Sequence, residues 1–226
     1  MLSLFAALLL AKYWTVHIDN VADRATYEEL HKQEYAIQRD VLAAHNVARA
    51  PQWKFSTSDG HYFNFRGRES LADFEKPSAT PDDVRKEISA KQAPLEPRIH
   101  GSLIEHHNEV WQTDSDVTSI LDSHAAKFIR YHTDTIKPGK DNAYGEAQKA
   151  FRVALQKQGV SIVAFYSAYG DGRYHYLFMS EKPFDMKSIV SAEIMKQWKD
   201  CVVSSHEVDA KARPDLTLTD SANWIQ

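Results

Sequence analysis

An α+β chain built from two tandem βαββαβ units is what the sequence predicts. Three observations predict it: an internal repeat, strand-like and helix-like periods in the same order in both copies, and a composition able to fill two small cores. The chain has 226 residues, 43% of them apolar and 11% aromatic, a size that suits one large domain or two small ones. Its 27 basic and 31 acidic residues leave a net charge of −4. That balance argues against a disordered chain and against a broad nucleic-acid-binding face. Cys201 is the single cysteine, so no intrachain disulfide can form and no structural zinc pattern is present.

The repeat orders everything else. Lys12 to Val21 lies over Lys127 to Ile136, and both runs contain His-x-Asp: His17 and Asp19 in the first, His132 and Asp134 in the second. Asp59-Gly60 with Tyr62 lies over Asp171-Gly172 with Tyr174, Trp53 over Phe165, and Glu109-Val110 over Glu207-Val208. The spacing between partners shortens along the chain, which places a long insertion in the first copy at 77–99. Thr26 to Glu29 reads as a capping box that opens a helix with Tyr27, Leu30, Ile37, Val41 and Ala44 on one face, ending at Asn46. Tyr144, Ala147, Phe151 and Leu155 repeat that pattern up to Gly159. Asp59-Gly60 and Asp171-Gly172 each separate two strand-like runs and predict hairpins. A second helix is expected after Thr80-Pro81-Asp82-Asp83 and again from Phe184 to Trp198, and the Glu-Val segments predict short closing strands.

Strand, helix, hairpin, helix, strand is the ferredoxin-like order, met twice. Such a unit covers one face of its sheet with helices and leaves the other in need of a partner, so two fused copies are expected to meet sheet to sheet. From Lys12 to Thr217 the chain resembles the dimeric α/β-barrel superfamily, the group that includes the antibiotic biosynthesis monooxygenase-like domains, with the dimer made covalent. The resemblance implies a pseudo-dimeric α/β barrel, a small-molecule ligand, and either a monomer with an internal pseudo-dimer or a homodimer. Some barrels of this group hold haem, but the chain has no haem-attachment pattern. The units are expected at 12–118 and 127–217, with a linker at 119–126 and a tail at 218–226. Met1 to Ala11 resembles the apolar core of a signal peptide, which would direct the protein to the periplasm or outside the cell; the alternative is an extra helical turn or strand packed on the domain of a cytoplasmic protein. It is too short to span a bilayer, and no other run approaches the ~18 apolar residues that spanning requires.

Strand alternation sets Thr15, His17 and Asp19 against Trp14, Val16 and Ile18, and Arg130, His132 and Asp134 against Ile129, Tyr131 and Thr133. The apolar rows are expected to face the helices, leaving the His-Asp pairs to look into the space between the sheets. A carboxylate two residues from an imidazole can orient the ring and raise its pKa, as a general base requires. His132, Asp134, His17 and Asp19 are therefore the catalytic candidates. The alternative is that each pair ties a strand end to a neighbouring loop. Arg130, which would favour an anionic ligand or neutralise Asp134, joins Tyr62, Tyr166, Tyr174 and Tyr176 as the candidate ligand-binding set. Of the two copies, the second is expected to line the accessible pocket. The predicted function is small-molecule binding, with a cofactor-free oxygenase or isomerase reaction through a His-Asp pair. A non-catalytic module binding a partner and a haem protein are the alternatives. No cofactor and no dedicated metal site are expected, although His17-Asp19-His61 and His132-Asp134-His175 have the composition of a two-His, one-carboxylate iron site.

Overall fold

Each repeat opens with a strand in which every second residue is apolar, and that alternation decides which side of the sheet is dry. The structure, a computed structural model, describes residues 11–49, 52–76, 78–121 and 126–218. Most of the expected signal segment, residues 122–125 of the linker and nearly all of the tail lie outside the described residues. The first repeat comprises β1 (Tyr13–Val21), α1 (Arg24–Ala44), β2 (Trp53–Thr57), β3 (His61–Arg68), α2 (Asp82–Gln92), α3 (Glu96–Gly101) and β4 (Leu103–Thr113). The second comprises β5 (Phe128–Ile136), α4 (Asp141–Gln156), β6 (Ser161–Ser167), β7 (Arg173–Ser180), α5 (Met186–Ile189), α6 (Ala192–Cys201) and β8 (Val202–Ala212).

Local chemistry explains the boundaries. α1 begins before the expected capping box, because Asp23 accepts the backbone N–H of Thr26. Asn46 and Gly159 both take the left-handed conformation after their helices. Gly60 sits at φ 103, where a Cβ would meet the Val21 carbonyl at 3.3 Å, so the first hairpin turn needs glycine. Ser191 splits the helix expected from Phe184 to Trp198, capping α6 by accepting the N–H of Ile194. The closing strands are 11 residues each rather than short.

Each repeat forms an antiparallel sheet, β4-β1-β3-β2 or β8-β5-β7-β6, and the two join into one closed barrel in the order β1-β3-β2-β8-β5-β7-β6-β4. Phe55 to Thr57 pair with Ala210 to Ala212 at one seam, and Trp111 to Thr113 pair with Phe165 to Ser167 at the other. The sheets therefore meet edge to edge instead of stacking face to face. Closure gives the edge backbone groups partners that stacking would leave open. Matching register shifts at Asn20/Val21 and Thr135/Ile136 mark the two copies as the same unit. Beyond its fourth strand each repeat crosses to the other: Ser119 bridges Ile162, while Leu216 and Leu218 pack with Tyr27 and Val41.

The barrel interior holds Trp14, Val16, Ile18, Trp53, Phe55, Phe63, Phe65, Trp111, Ile129, Tyr131 and Phe165. The expected facing is thus reversed, since the apolar rows fill the barrel and the His-Asp rows face the helices. A closed barrel has one interior, which both repeats must fill, and the bulky aromatic rows do so. The helix layers accept the polar rows because α1 presents Tyr27, His31 and Tyr35 to them, and α4 presents Tyr144 and Gln148. No helix of the described residues is long and apolar enough to cross a membrane.

Candidate functional site

Strand register shows which residues of the two repeats are equivalent. His17 lies opposite Asn64, and Asn64 opposite Lys54; in the second copy His132 lies opposite Tyr176, and Tyr176 opposite Ala164. Along the closing strands Asn108 corresponds to Glu207, and His106 to Ser205. Two sequence matches therefore slip: Trp53 corresponds to Val163 rather than Phe165, and Glu207 to Asn108 rather than Glu109. A one-residue slip reverses the face, so Glu109 points into the barrel mouth and Glu207 toward the helices.

Between the outer face of the first sheet and α1 lies a cavity of about 270 Å³, walled by His17, Asp19, Lys54, Asn64 and Arg66 from strands and by His31, Glu34 and Tyr35 from the helix. A hydrogen-bonded chain runs through its floor. The Lys54 Nζ donates to the Tyr27 hydroxyl at 2.8 Å, and Tyr27 donates to Asp19 Oδ2 at 2.5 Å. Asp19 Oδ1 lies 3.0 Å from His17 Nε2, and His17 Nδ1 donates to Asn108 Oδ1 at 2.9 Å. The bond to Asp19 raises the pKa of His17 against the opposing effect of burial. Burial pushes Asp19 up, but His17 and Lys54 outweigh it and bring the carboxyl down to about 2.

Lys54 is only 1% exposed, and burial pulls its pKa down to about 8 against the attraction of Asp19. Among the described residues no carboxylate comes within ion-pair distance of it. Its amine lies instead over the rings of Tyr27, Tyr35 and Tyr62 at 4.9, 5.8 and 5.8 Å. Burying an ammonium without a direct counter-charge is costly. Two further buried polar atoms, Asn64 Oδ1 and His31 Nε2, have no hydrogen-bond partner among the described residues, and both side chains line the cavity.

The second repeat closes the same space. His132 is 4% exposed, with Nε2 at 2.9 Å from Asp134 Oδ1 and Nδ1 at 3.6 Å from Glu207. Asp134 Oδ2 accepts from Tyr144 at 2.6 Å and from the Trp198 indole at 2.8 Å. Tyr176 and Trp198 lie 5.8 and 6.0 Å from the His132 ring, and the register puts Asn64 of the first copy in the place of Tyr176. Burial disfavours the His132 charge, yet the bonds to Asp134 and Glu207 win and hold it at about 9. The expectation that the second copy lines the accessible pocket is therefore corrected: two large aromatic rings fill it.

Of the sequence candidates, the structure brings His17 and Asp19 to the cavity and buries His132 and Asp134. Arg130 pairs with Glu207 and Asp209 at 3.0 and 3.4 Å, and it neither reaches Asp134 nor lines the cavity. Tyr62 packs on Tyr27 and donates to Glu28, Tyr174 packs on Tyr144 and Tyr166, and Tyr176 bonds Tyr144. These tyrosines fasten helices to sheet. Sequence reasoning had Asn64 as a neighbour of the first pair but missed Lys54 and Arg66. Their signal was alternation in phase with His17, Lys54 between Trp53 and Phe55 and Arg66 after Phe65.

Neither iron triad assembles. His61 bonds Asp59 beside the barrel mouth, and His175 stacks on Trp111 at 3.9 Å inside the barrel. His106, opposite Asp19 in the register, comes beside the pair instead, and one ligand atom each from His17, Asp19 and His106 lie within 4.8 Å of one another. Haem does not fit the described residues, for the first-repeat cavity is small and lined by charged groups, and the second-repeat space is filled by Tyr144, Tyr176 and Trp198.

No protein family and no curated protein matches the chain. Solved structures do. A provisionally named monooxygenase from Fusobacterium nucleatum superposes with a TM-score of 0.57 at 11% identity, covering 89% of this chain and 92% of that one. Another from Lactobacillus acidophilus gives 0.51 at 8% identity, over 89% and 94%. A variant of chlorite dismutase from Candidatus Nitrospira defluvii gives 0.52 at 8% identity, over 92% and 95%. Likeness at this identity establishes the fold alone: a closed eight-stranded α/β barrel made of two ferredoxin-like repeats fused in one chain.

Proposed function

We propose that the chain is a small-molecule-binding protein whose ligand site is the cavity of the first repeat, and that the ligand is a small anion. The observation that carries this reading is Lys54, a buried amine with no carboxylate at ion-pair distance among the described residues, lining a cavity that the second copy has filled. Arg66 in the same wall adds a second cation, and His31 Nε2 offers a polar atom to orient the ligand. A volume of about 270 Å³ suits a compact molecule better than an extended one. Calorimetric titration with acetate, oxalate, benzoate and inorganic phosphate tests it. At least one of these should bind saturably, Lys54→Met should weaken that binding at least about tenfold, and Ala164→Ser at the equivalent second-repeat position should leave it unchanged. Absence of saturable binding by all four, or binding indifferent to Lys54→Met, would remove the reading.

A second reading, cofactor-free proton transfer to or from that ligand in an oxygenase or isomerase reaction, is favoured by the 3.0 Å contact between His17 and Asp19. Asn108 and Tyr27 hold the far atoms of both groups and fix their orientation. Turnover that persists after chelation and falls with Asp19→Asn would support it. Turnover that chelation abolishes would refute it.

A further inference from the structure

We propose that His17, Asp19 and His106 form a site for a first-row divalent transition metal ion at the wall of the first-repeat cavity. The geometry follows from strand pairing. His17 and Asp19 project from one face of β1, and the register sets His106 of β4 directly opposite Asp19 on that same face. Their ligand atoms lie within 4.8 Å of one another, whereas an ion bound to nitrogen and oxygen holds its ligands roughly 3 to 3.5 Å apart. The movement this requires falls to His106, the exposed member, which would leave its stacking on His100 to bind.

The surrounding bonds already prepare the donors. Asn108 accepts from His17 Nδ1 and so turns Nε2 toward Asp19, where a metal ion would take the place of the Nε2 proton, while Tyr27 occupies Asp19 Oδ2 and leaves Oδ1 facing His17. Outer partners that fix tautomer and carboxylate orientation in this way are characteristic of metal ligands. Lys54, the nearest buried cation, stands behind the Tyr27 hydroxyl rather than against the ligand atoms. Two imidazoles and one carboxylate suit zinc, iron or cobalt and leave coordination positions open. The second repeat supplies an internal control, since His132 and Asp134 repeat the pair but the third ligand is replaced by Ser205, whose hydroxyl lies 3.4 Å from His132.

The assignment rests on the cavity reading only for what the open positions would face, a small anion. Titration of the chelator-treated full-length chain with Co²⁺, followed by visible absorption and then by Zn²⁺ competition in a calorimeter, tests the site. One ion per chain is expected. His106→Ala, an exposed change that spares the fold, should weaken it by roughly a hundredfold, as should His17→Ala, with His132→Ala unchanged. No saturable site, or one that survives His106→Ala or disappears in His132→Ala, overturns the assignment. The anion titration is independent: failure of anions to bind while Co²⁺ titrates would sink the cavity reading alone, and the reverse would sink the metal site alone.

Discussion

The two repeats share a fold, a register shift and a His-Asp pair, yet one keeps a polar cavity under its helix while aromatic rings crowd the histidine of the other. Two exchanges in the strand register mark the difference, Lys54 for Ala164 and Asn64 for Tyr176, and Trp198 adds a second ring in the second copy. In the second copy the two aromatic rings occupy the space, and Asp134 is left with three partners from His132, Tyr144 and Trp198. In the first copy the shorter Asn64 leaves room, and the buried amine lies over three tyrosine rings. Duplication thus lets one copy keep a filled layer while the other keeps a polar cavity.

Removing the filler should therefore produce the largest effect. Tyr176→Asn, which gives the second repeat the residue of the first, exchanges a fully buried ring for a short polar side chain and should cost about 3 to 5 kcal/mol. The reference change Asn64→Ala should cost under ~1 kcal/mol, because Asn64 makes one long bond of 3.4 Å to Tyr35. Urea denaturation midpoints of both variants check this. Comparable losses would mean that the two layers are packed alike.

The histidine of the closed copy should couple stability to pH. His132 is held at about 9 in the folded chain, above the roughly 6.5 of an unfolded histidine. Its contribution is fully present below about pH 6.5 and is lost as pH rises through about 9, an effect on the order of 3 kcal/mol. His132→Gln should flatten the stability profile between those pH values. A wild-type profile already flat there would place the charge elsewhere.

Tyrosine hydroxyls should separate the repeats by a smaller margin. Tyr27→Phe leaves both the Lys54 amine and Asp19 Oδ2 short of a partner, at a cost of about 2 kcal/mol. Tyr144→Phe should cost less, since Asp134 keeps His132 and the Trp198 indole and only the uncharged Tyr176 hydroxyl loses its partner. Equal losses would show that Trp198 does not compensate.

Element order and duplication were legible because strand alternation, hairpin glycines and helix ends are local signals, as Gly60 and Asn46 illustrate. Which face of β1 is dry was not. A single βαββαβ unit with Trp14, Val16 and Ile18 on one side is satisfied by helices on that side or by a barrel interior, and the choice depends on closure with the other repeat. The tyrosines of α1 and α4 were the available clue, since a helix face carrying Tyr27, His31 and Tyr35 suits a polar sheet face better than an aliphatic one. His106 could not be assigned as a partner of Asp19 because its neighbour His107 offers the same chemistry, and only the β1–β4 register decides between them.

Helix starts provide the finest test of how far the copies have diverged. Asp23 caps α1, its carboxylate accepting the Thr26 backbone N–H at 3.1 Å and the Thr26 hydroxyl at 2.7 Å. The corresponding position before α4 is Lys140, whose side chain makes no capping bond. The hydrogen bonds from Thr26 hold the Asp23 carboxyl below its ordinary range, so the cap's contribution is present above about pH 4 and fades as pH falls. Asp23→Ala should lower the melting temperature at neutral pH by about 2 to 4 °C, and the loss should shrink in acid. Lys140→Ala removes no cap and should leave the melting temperature unchanged at either pH. If Lys140→Ala cost as much as Asp23→Ala, the helix starts would be equivalent in energy despite their different chemistry, and the asymmetry between the repeats would be confined to the layer around His17 and His132.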